Sequence, residues 1–191
     1  TSLGFMKSTA TTTDELPGVG PQMHLLGVAT AEGDAYVVEE IGDYEAPPIH
    51  RLWLSGPRDG NLVPIHAWYE QCFEPAEIRA RIASIATTLE TAGKSTTEAW
   101  MLSTRVVQRR ALRLGTGGEA PIRKFALQLR VEPVSGHGAS GHTTVTAFLR
   151  PGAALREVWS VGESMAIARV TYTGIPNGLG LSKDTMVLLT E

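Results

Sequence analysis

His66 and Cys72 stand six residues apart, just ahead of a stretch with helical spacing. A thiol at a helix N-terminus with an imidazole in reach is the pattern of a nucleophile and its base, the core of a hydrolase. No Gly-rich oxyanion-type motif follows Cys72, and a lone cysteine more often fills a small buried apolar space. His137 and His142, in Gly-His-Gly-Ala-Ser-Gly-His, have the residue type of a metal pair. The loop holding them has no Asp, Glu or Cys to serve as a third ligand, so they read as surface histidines and no metal is expected. The run 174–183 has the glycines of a phosphate loop but not its order, because Ser182 precedes Lys183; it reads as a turn. The densest chemistry is basic: Arg105, Arg109, Arg110, Arg113, Arg123, Lys124 and Arg130 place seven of the 17 basic residues within 26 positions. Such a cluster either binds phosphates or carboxylates of a partner, or is a solvated strand face paired with scattered Glu.

Those cations lie on the stretch around which the chain is organised, Trp100 to Pro133. Phe125, Leu127, Leu129 and Val131 alternate with Lys124, Ala126, Gln128, Arg130 and Glu132, the period-two pattern of a half-buried antiparallel strand. Trp100, Leu102, Thr104 and Val106 keep the same rhythm, which slips near Val107 and resumes at Leu112 and Leu114. A slip inside a long strand predicts a bulge. Gly115-Thr116-Gly117-Gly118-Glu119-Ala120-Pro121 supplies turn residues between the halves, so the stretch reads as a hairpin with a wide loop.

Around it the chain reads as short strands between turns. Residues 23–30 and 35–41 form a hairpin pair about the turn 31–34, Pro47-Pro48 breaks the chain, and 49–54 and 62–69 follow, the latter demoted toward an edge by Pro64. One helix interrupts: Pro75 suits the first helical position, Ile78, Ile82, Ile85 and Leu89 recur at helical spacing, and Gly93 supplies a stop. Residues 134–141 read as a flexible loop, 143–149 as a strand, 153–159 as one or two helical turns, 165–172 and 185–189 as strands, and 174–180 as the loop between them. The sum is a mainly β chain, an antiparallel β-sandwich read as an eight-stranded jelly roll with one inserted helix. Residues 1–21 read as an arm or linker and 22–191 as the sandwich.

Composition is that of an ordinary globular chain, 191 residues with 42% hydrophobic and 19% charged, long enough for a sizeable core. Twenty Gly and 11 Pro favour a β-rich chain over a helical bundle. A net charge of −3 excludes a generic nucleic-acid binder, although segregated charge can still make one basic face. The single cysteine excludes an intramolecular disulfide, and neither a membrane span nor a leader is read. A start at Thr1 rather than Met reads as a portion of something longer.

The run TRVVQRRALRLGTGGEAPIRKFALQLRVEP resembles paired strands in the shell domain of coat proteins of small icosahedral positive-strand RNA viruses, nodavirus-like and tombusvirus-like. Those strands follow a loose pattern of Arg, hydrophobics, a Gly or Thr turn, and a second strand ending in Pro. Phe5-Met6-Lys7-Ser8-Thr9-Ala10, Asp14 and Pro17-Gly18-Val19-Gly20 resemble the segment that precedes the shell domain in nodavirus coat proteins, with two residues fewer between Asp14 and Pro17.

The resemblance implies a structural capsid subunit that assembles in many copies around an RNA genome, found in the virion and assembled in the host cytoplasm. It implies no cofactor, leaves calcium at subunit contacts open, and assigns most packing of viral RNA to a basic arm outside this sequence. It also implies a role for Asp14 as general acid/base in a single self-cleavage of the subunit, its pKa raised by burial at a subunit contact. That cleavage acts on an Asn-containing bond near the C-terminus. Here the only asparagines are Asn61 and Asn177, neither so placed; without the resemblance, Asp14 is a solvated or helix-capping carboxylate. The alternative to a shell subunit is a soluble microbial β-sandwich that binds a ligand or a partner protein.

Overall fold

Apolar residues give the longer strands their buried faces, and in the computed structural model, which describes residues 6–7, 20–40, 47–65, 74–113, 121–177 and 180–191, those faces meet in three layers. In chain order the elements are β1 (Met6–Lys7), β2 (Gln22–Ala29), β3 (Asp34–Glu40), β4 (Ile49–Trp53), β5 (Leu62–Pro64), α1 (Pro75–Ala86) and β6 (Gly93–Ser95). A 3-10 turn, Thr97–Ala99, leads into β7 (Trp100–Leu112), β8 (Ile122–Pro133), β9 (Gly141–Phe148), β10 (Ala153–Val161), β11 (Met165–Asn177) and β12 (Gly180–Thr190). They form an N-terminal sheet in the order β2-β3-β4-β5, a hairpin sheet in the order β1-β7-β8-β9, and a third in the order β12-β11-β10-β6, all antiparallel.

The third sheet is the middle layer. Val158, Ala166, Ala168, Val170, Val187 and Leu189 pack with Leu102, Phe125, Leu127, Leu129 and Val131 of the hairpin sheet. Their strand neighbours Val161, Ile167, Met186 and Leu188 pack with Met23, Val28, Ala35, Val37 and Leu52 of the N-terminal sheet. A sheet covered on both faces needs apolar residues at consecutive positions, which accounts for the unbroken runs in β11 and β12. At one edge, Ser140 N–H donates to Thr190 O at 2.9 Å and Thr190 N–H to Ser140 O at 3.0 Å, joining the hairpin and middle sheets. The approach is so close there that a Cβ on Gly141 would overlap the carbonyl oxygen of Leu188.

The chain is therefore mainly β, antiparallel and layered, as expected, with the expected bulge: β7 shifts register between Val106 and Gln108. The expected eight strands in a jelly roll are not confirmed by this arrangement. Twelve strands occur among the described residues, and each sheet is built chiefly of hairpin neighbours. Residues 153–159 are strand, not helix. A bulge between Leu155 and Glu157 sets Leu155 and Val158 three apart on one face, which imitates a helical spacing. The expected loop at 174–180 is shorter, with β11 running to Asn177 and β12 starting at Gly180.

The helix begins at Pro75, with the Glu74 N–H donating to the Glu77 carboxylate at 3.1 Å, but ends at Ala86 rather than near Gly93. Thr87 and Thr88 stop it, their hydroxyls donating to Ser84 O at 2.7 Å and Ile85 O at 2.8 Å. The chain then meets β2, where Val28 and Glu90 exchange backbone bonds of 2.9 and 2.8 Å. Of the expected strand 62–69, Leu62–Pro64 is observed and 66–69 lie outside the described residues. Within the expected arm, Met6 and Lys7 pair with Thr104 and Ser103 on the edge of β7. No helix among the described residues is long and apolar enough to cross a membrane.

Candidate functional site

In an antiparallel ladder, residues directly opposite share a face, so the register sorts the seven cations. Arg105 lies opposite Gln128, Arg110 opposite Lys124, and Ser103 opposite Arg130, all on the side away from Phe125 and Leu127. Arg109 lies opposite Phe125 and Arg123 opposite Ala111, which puts both on the other side, while Arg113 follows the end of β7. The bulge at Val107 decides this. In a regular strand Arg109 would follow Arg105 on the outer face, whereas the extra residue brings Arg110 there, beside Lys124.

The outer face of the hairpin sheet thus carries Arg105, Arg110, Lys124 and Arg130, with Gln108, Gln128, Thr144, Thr146 and His142 between them. Glu132 is the one carboxylate on these described positions, 3.0 Å from Arg130 Nε. Lys124 Nζ lies 6.0 Å from the centroid of the Phe148 ring. A basic face with uncharged hydrogen-bonding groups between the cations has the chemistry to take phosphates in any sequence context.

Every residue of β7 from Val107 to Leu112 is exposed, and so is Arg113. Arg109, Arg113 and Arg123 form no ion pair among the described residues. At the opposite end of the same sheet an open cleft of about 570 Å³ lies between the turns after β8 and β10. Glu98, Glu163, Glu191, His137, Val134 and Trp100 line it, and no Lys or Arg does. Trp100 Nε1 donates to Ser95 Oγ at 3.2 Å, holding the indole at the cleft wall.

His142 sits on the outer face opposite Arg130, and His137 is exposed in the turn after β8, so the two histidines do not converge. No group of three or more metal-ligating side chains occurs among the described residues. Lys183 lies opposite Tyr172 in the β11–β12 hairpin, so the glycine-rich run is hairpin, not phosphate cradle. Asp14, His66 and Cys72 lie outside the described residues.

A chain of polar contacts that runs across the middle sheet from an exposed Lys94 to the buried Asp184, and reaches the N-terminal sheet at Met23, was not foreseen. Lys94 Nζ lies 2.6 Å from Glu157 Oε1, Glu157 Oε2 2.9 Å from Arg169 Nη2, and Arg169 Nη1 3.2 Å from Asp184 Oδ2. Asp184 also accepts from Met23 N–H at 3.0 Å and from the Thr171 hydroxyl at 2.6 Å, and Arg156 Nε donates to Thr171 Oγ1 at 3.2 Å. Nearby, His50 and Glu39 pair at 2.8 Å, and that hydrogen bond holds the Glu39 carboxyl below its ordinary value against the opposing effect of burial. Burial, reinforced by the charges of Glu39 and Asp184, pushes the Tyr172 hydroxyl up to about 12.

On the outer face of the N-terminal sheet the buried Asp34 pairs with Arg51 Nη2 at 2.6 Å, and the Arg51 guanidinium stacks 3.7 Å from the Trp53 ring centroid. These clusters join strands to strands and bind layers together. Arg169 in the apolar run Ala166–Val170 was their one visible signal, a charge where the pattern calls for an apolar residue.

No family model matches the chain, and no curated protein or solved structure matches it.

Proposed function

We propose that this chain is a structural subunit that associates in many copies into a shell around an RNA genome, with the outer face of the hairpin sheet turned toward the RNA. The observation that carries the reading is charge segregation. A chain of net charge −3 presents Arg105, Arg110, Lys124 and Arg130 on one face with a single carboxylate among the described positions there, Glu132. Sequence-independent contact with a phosphate backbone needs such a face and no pocket. The three packed antiparallel layers supply a rigid block to carry it, and neither role requires the strand order of a jelly roll.

Light scattering coupled to size exclusion, with absorbance read at 260 and 280 nm at moderate and high salt, tests it. A megadalton particle with nucleic-acid absorbance is the expected result, and a monomer or dimer at every salt concentration overturns it. The cleft beside Trp100 favours a second reading, a β-sandwich module that binds a cationic ligand or partner; a monomer whose Trp fluorescence changes with an added cationic peptide would support that instead.

A further inference from the structure

The cleft at the Trp100 end of the hairpin sheet has walls that are tied in place. Val134 N–H donates to Ala99 O at 2.9 Å, joining the turn after β8 to the 3-10 turn ahead of β7. Within the turn after β8, the Ser135 hydroxyl accepts from His137 N–H at 3.4 Å and donates to His137 O at 3.2 Å. The bond from Trp100 Nε1 to Ser95 Oγ fixes the indole against β6. A site held this way needs little further ordering when a ligand arrives.

Its surface joins apolar contact with unanswered negative charge. Trp100, Val134 and Met165 line it, Val134 being 64% exposed, and the exposed Glu98, Glu163 and Glu191 line it too. The acids in the ion pairs of the described residues are Asp34, Glu39, Glu40, Glu132, Glu157 and Asp184, so the three in the cleft belong to none of them. Nor do those three converge as a metal site would require. A cation on an apolar stem suits both halves of this surface. The molecule holds one such arrangement already: Arg51 lies 3.7 Å from the Trp53 ring centroid and 2.6 Å from the Asp34 carboxylate. At Trp100 the indole and the carboxylates are present and the guanidinium is not.

We infer that the cleft receives an arginine side chain from a basic peptide segment of a partner protein. Its guanidinium pairs with Glu98 and Glu163, and its methylene stem lies against Trp100 and Val134. Arginine is favoured over lysine because its planar fork matches a carboxylate with two N–H groups, stacks on an indole and sheds water more readily. The cleft volume of about 570 Å³ falls in the range of built ligand sites and leaves room for the residues flanking the arginine. The inference rests on the second reading of the cleft given above, names its ligand, and makes no use of self-association.

Titration of the isotope-labelled full chain with short peptides, followed by nuclear magnetic resonance, tests it. The indole N–H resonance of Trp100, one of four tryptophans, is assigned by its loss in Trp100→Phe. A glycine peptide with arginine at its centre should move that resonance. The same peptide with citrulline, whose urea carries no charge, should not, and the lysine peptide should bind about tenfold more weakly. Glu98→Gln with Glu163→Gln should weaken the arginine peptide by about tenfold or more, because charge-assisted hydrogen bonds are lost. Both positions are exposed, and circular dichroism checks the fold of the variant. The citrulline comparison is made on the wild-type chain and needs no variant.

If lysine and arginine peptides bind equally and both lose affinity in the Gln variant, the arginine preference is overturned while the cleft stands as a cation site. If the arginine peptide binds the Gln variant as tightly as wild type, or citrulline binds as well as arginine, the inference is overturned. If no peptide moves the Trp100 resonance, the cleft reading falls with it, and the shell reading is untouched.

Discussion

Arg169 Nη1 stands 3.2 Å from Asp184 Oδ2, in the layer where the middle sheet meets the N-terminal sheet. Asp184 is almost wholly buried and accepts three hydrogen bonds, so removing either partner strands a charge away from water. Arg169→Met alone should cost about 3–5 kcal/mol in urea unfolding, whereas Arg169→Met combined with Asp184→Leu should cost clearly less than the single change. Equal destabilisation of the single and double variants would show that the pair itself stabilises the layers.

Acid should weaken the molecule through Glu39. Its folded pKa is depressed by the His50 hydrogen bond, so its contribution is fully present above the ordinary Glu value of about 4.3 and fades as pH falls through the lower folded value. The stability gap between wild type and Glu39→Gln should be steady near pH 6 and shrink below about pH 4. A gap that widens on acidification would contradict the depressed value.

Deleting one residue inside a strand normally turns every following side chain to the other face. Val107 should be an exception. It is the extra residue of the bulge and is exposed, and Val106 and Gln108 already lie opposite consecutive residues, Leu127 and Ala126. Its deletion should leave Arg110 beside Lys124 and shift the thermal midpoint by only a few degrees; deletion of Leu129, fully buried in β8, should unfold the domain.

On the outer basic face, Arg110→Gln with Lys124→Gln should leave the fold intact and weaken binding to single-stranded RNA. In a filter-binding series the slope of log affinity against log salt should become shallower by about 1.4, at about 0.7 for each cation withdrawn from a phosphate. An unchanged slope would remove these residues from the RNA interface.

Gly141→Ala should destabilise by about 1–3 kcal/mol or more, because the added methyl has nowhere to go but into the Leu188 carbonyl. Gly136→Ala, with open space at its Cβ but a φ of 77°, separates this steric cost from the cost of backbone conformation. Chemical denaturation of both variants reads the difference.

Strands that bury one face declare themselves in sequence. Phe125 to Val131 alternates cleanly, and the slip at Val107 shows because the pattern on either side of it is strong. Residues 153–159 misled because a bulge spaces Leu155 and Val158 as a helix would, and nothing local distinguishes the two causes. Layering was hidden for a different reason: Ile167 and Ala168 look alike in sequence although they face different sheets. The ion-pair chain was less visible still, since Met23 and Asp184 are 161 positions apart. The basic cluster was legible as composition, but only the register shows that Arg110, and not Arg109, joins Arg105 on the outer face.

Three of the four strands of the middle sheet, β10, β11 and β12, are the last to be written in the chain. A polypeptide leaving the ribosome therefore displays the apolar faces of both outer sheets before the layer that covers them exists. Those faces stay open until the final hairpins emerge, and the pairings they await are long-range and slow to form. Removing the last hairpin would uncover two sheets at once, so a chain cut short there is headed for aggregation rather than for a smaller stable domain.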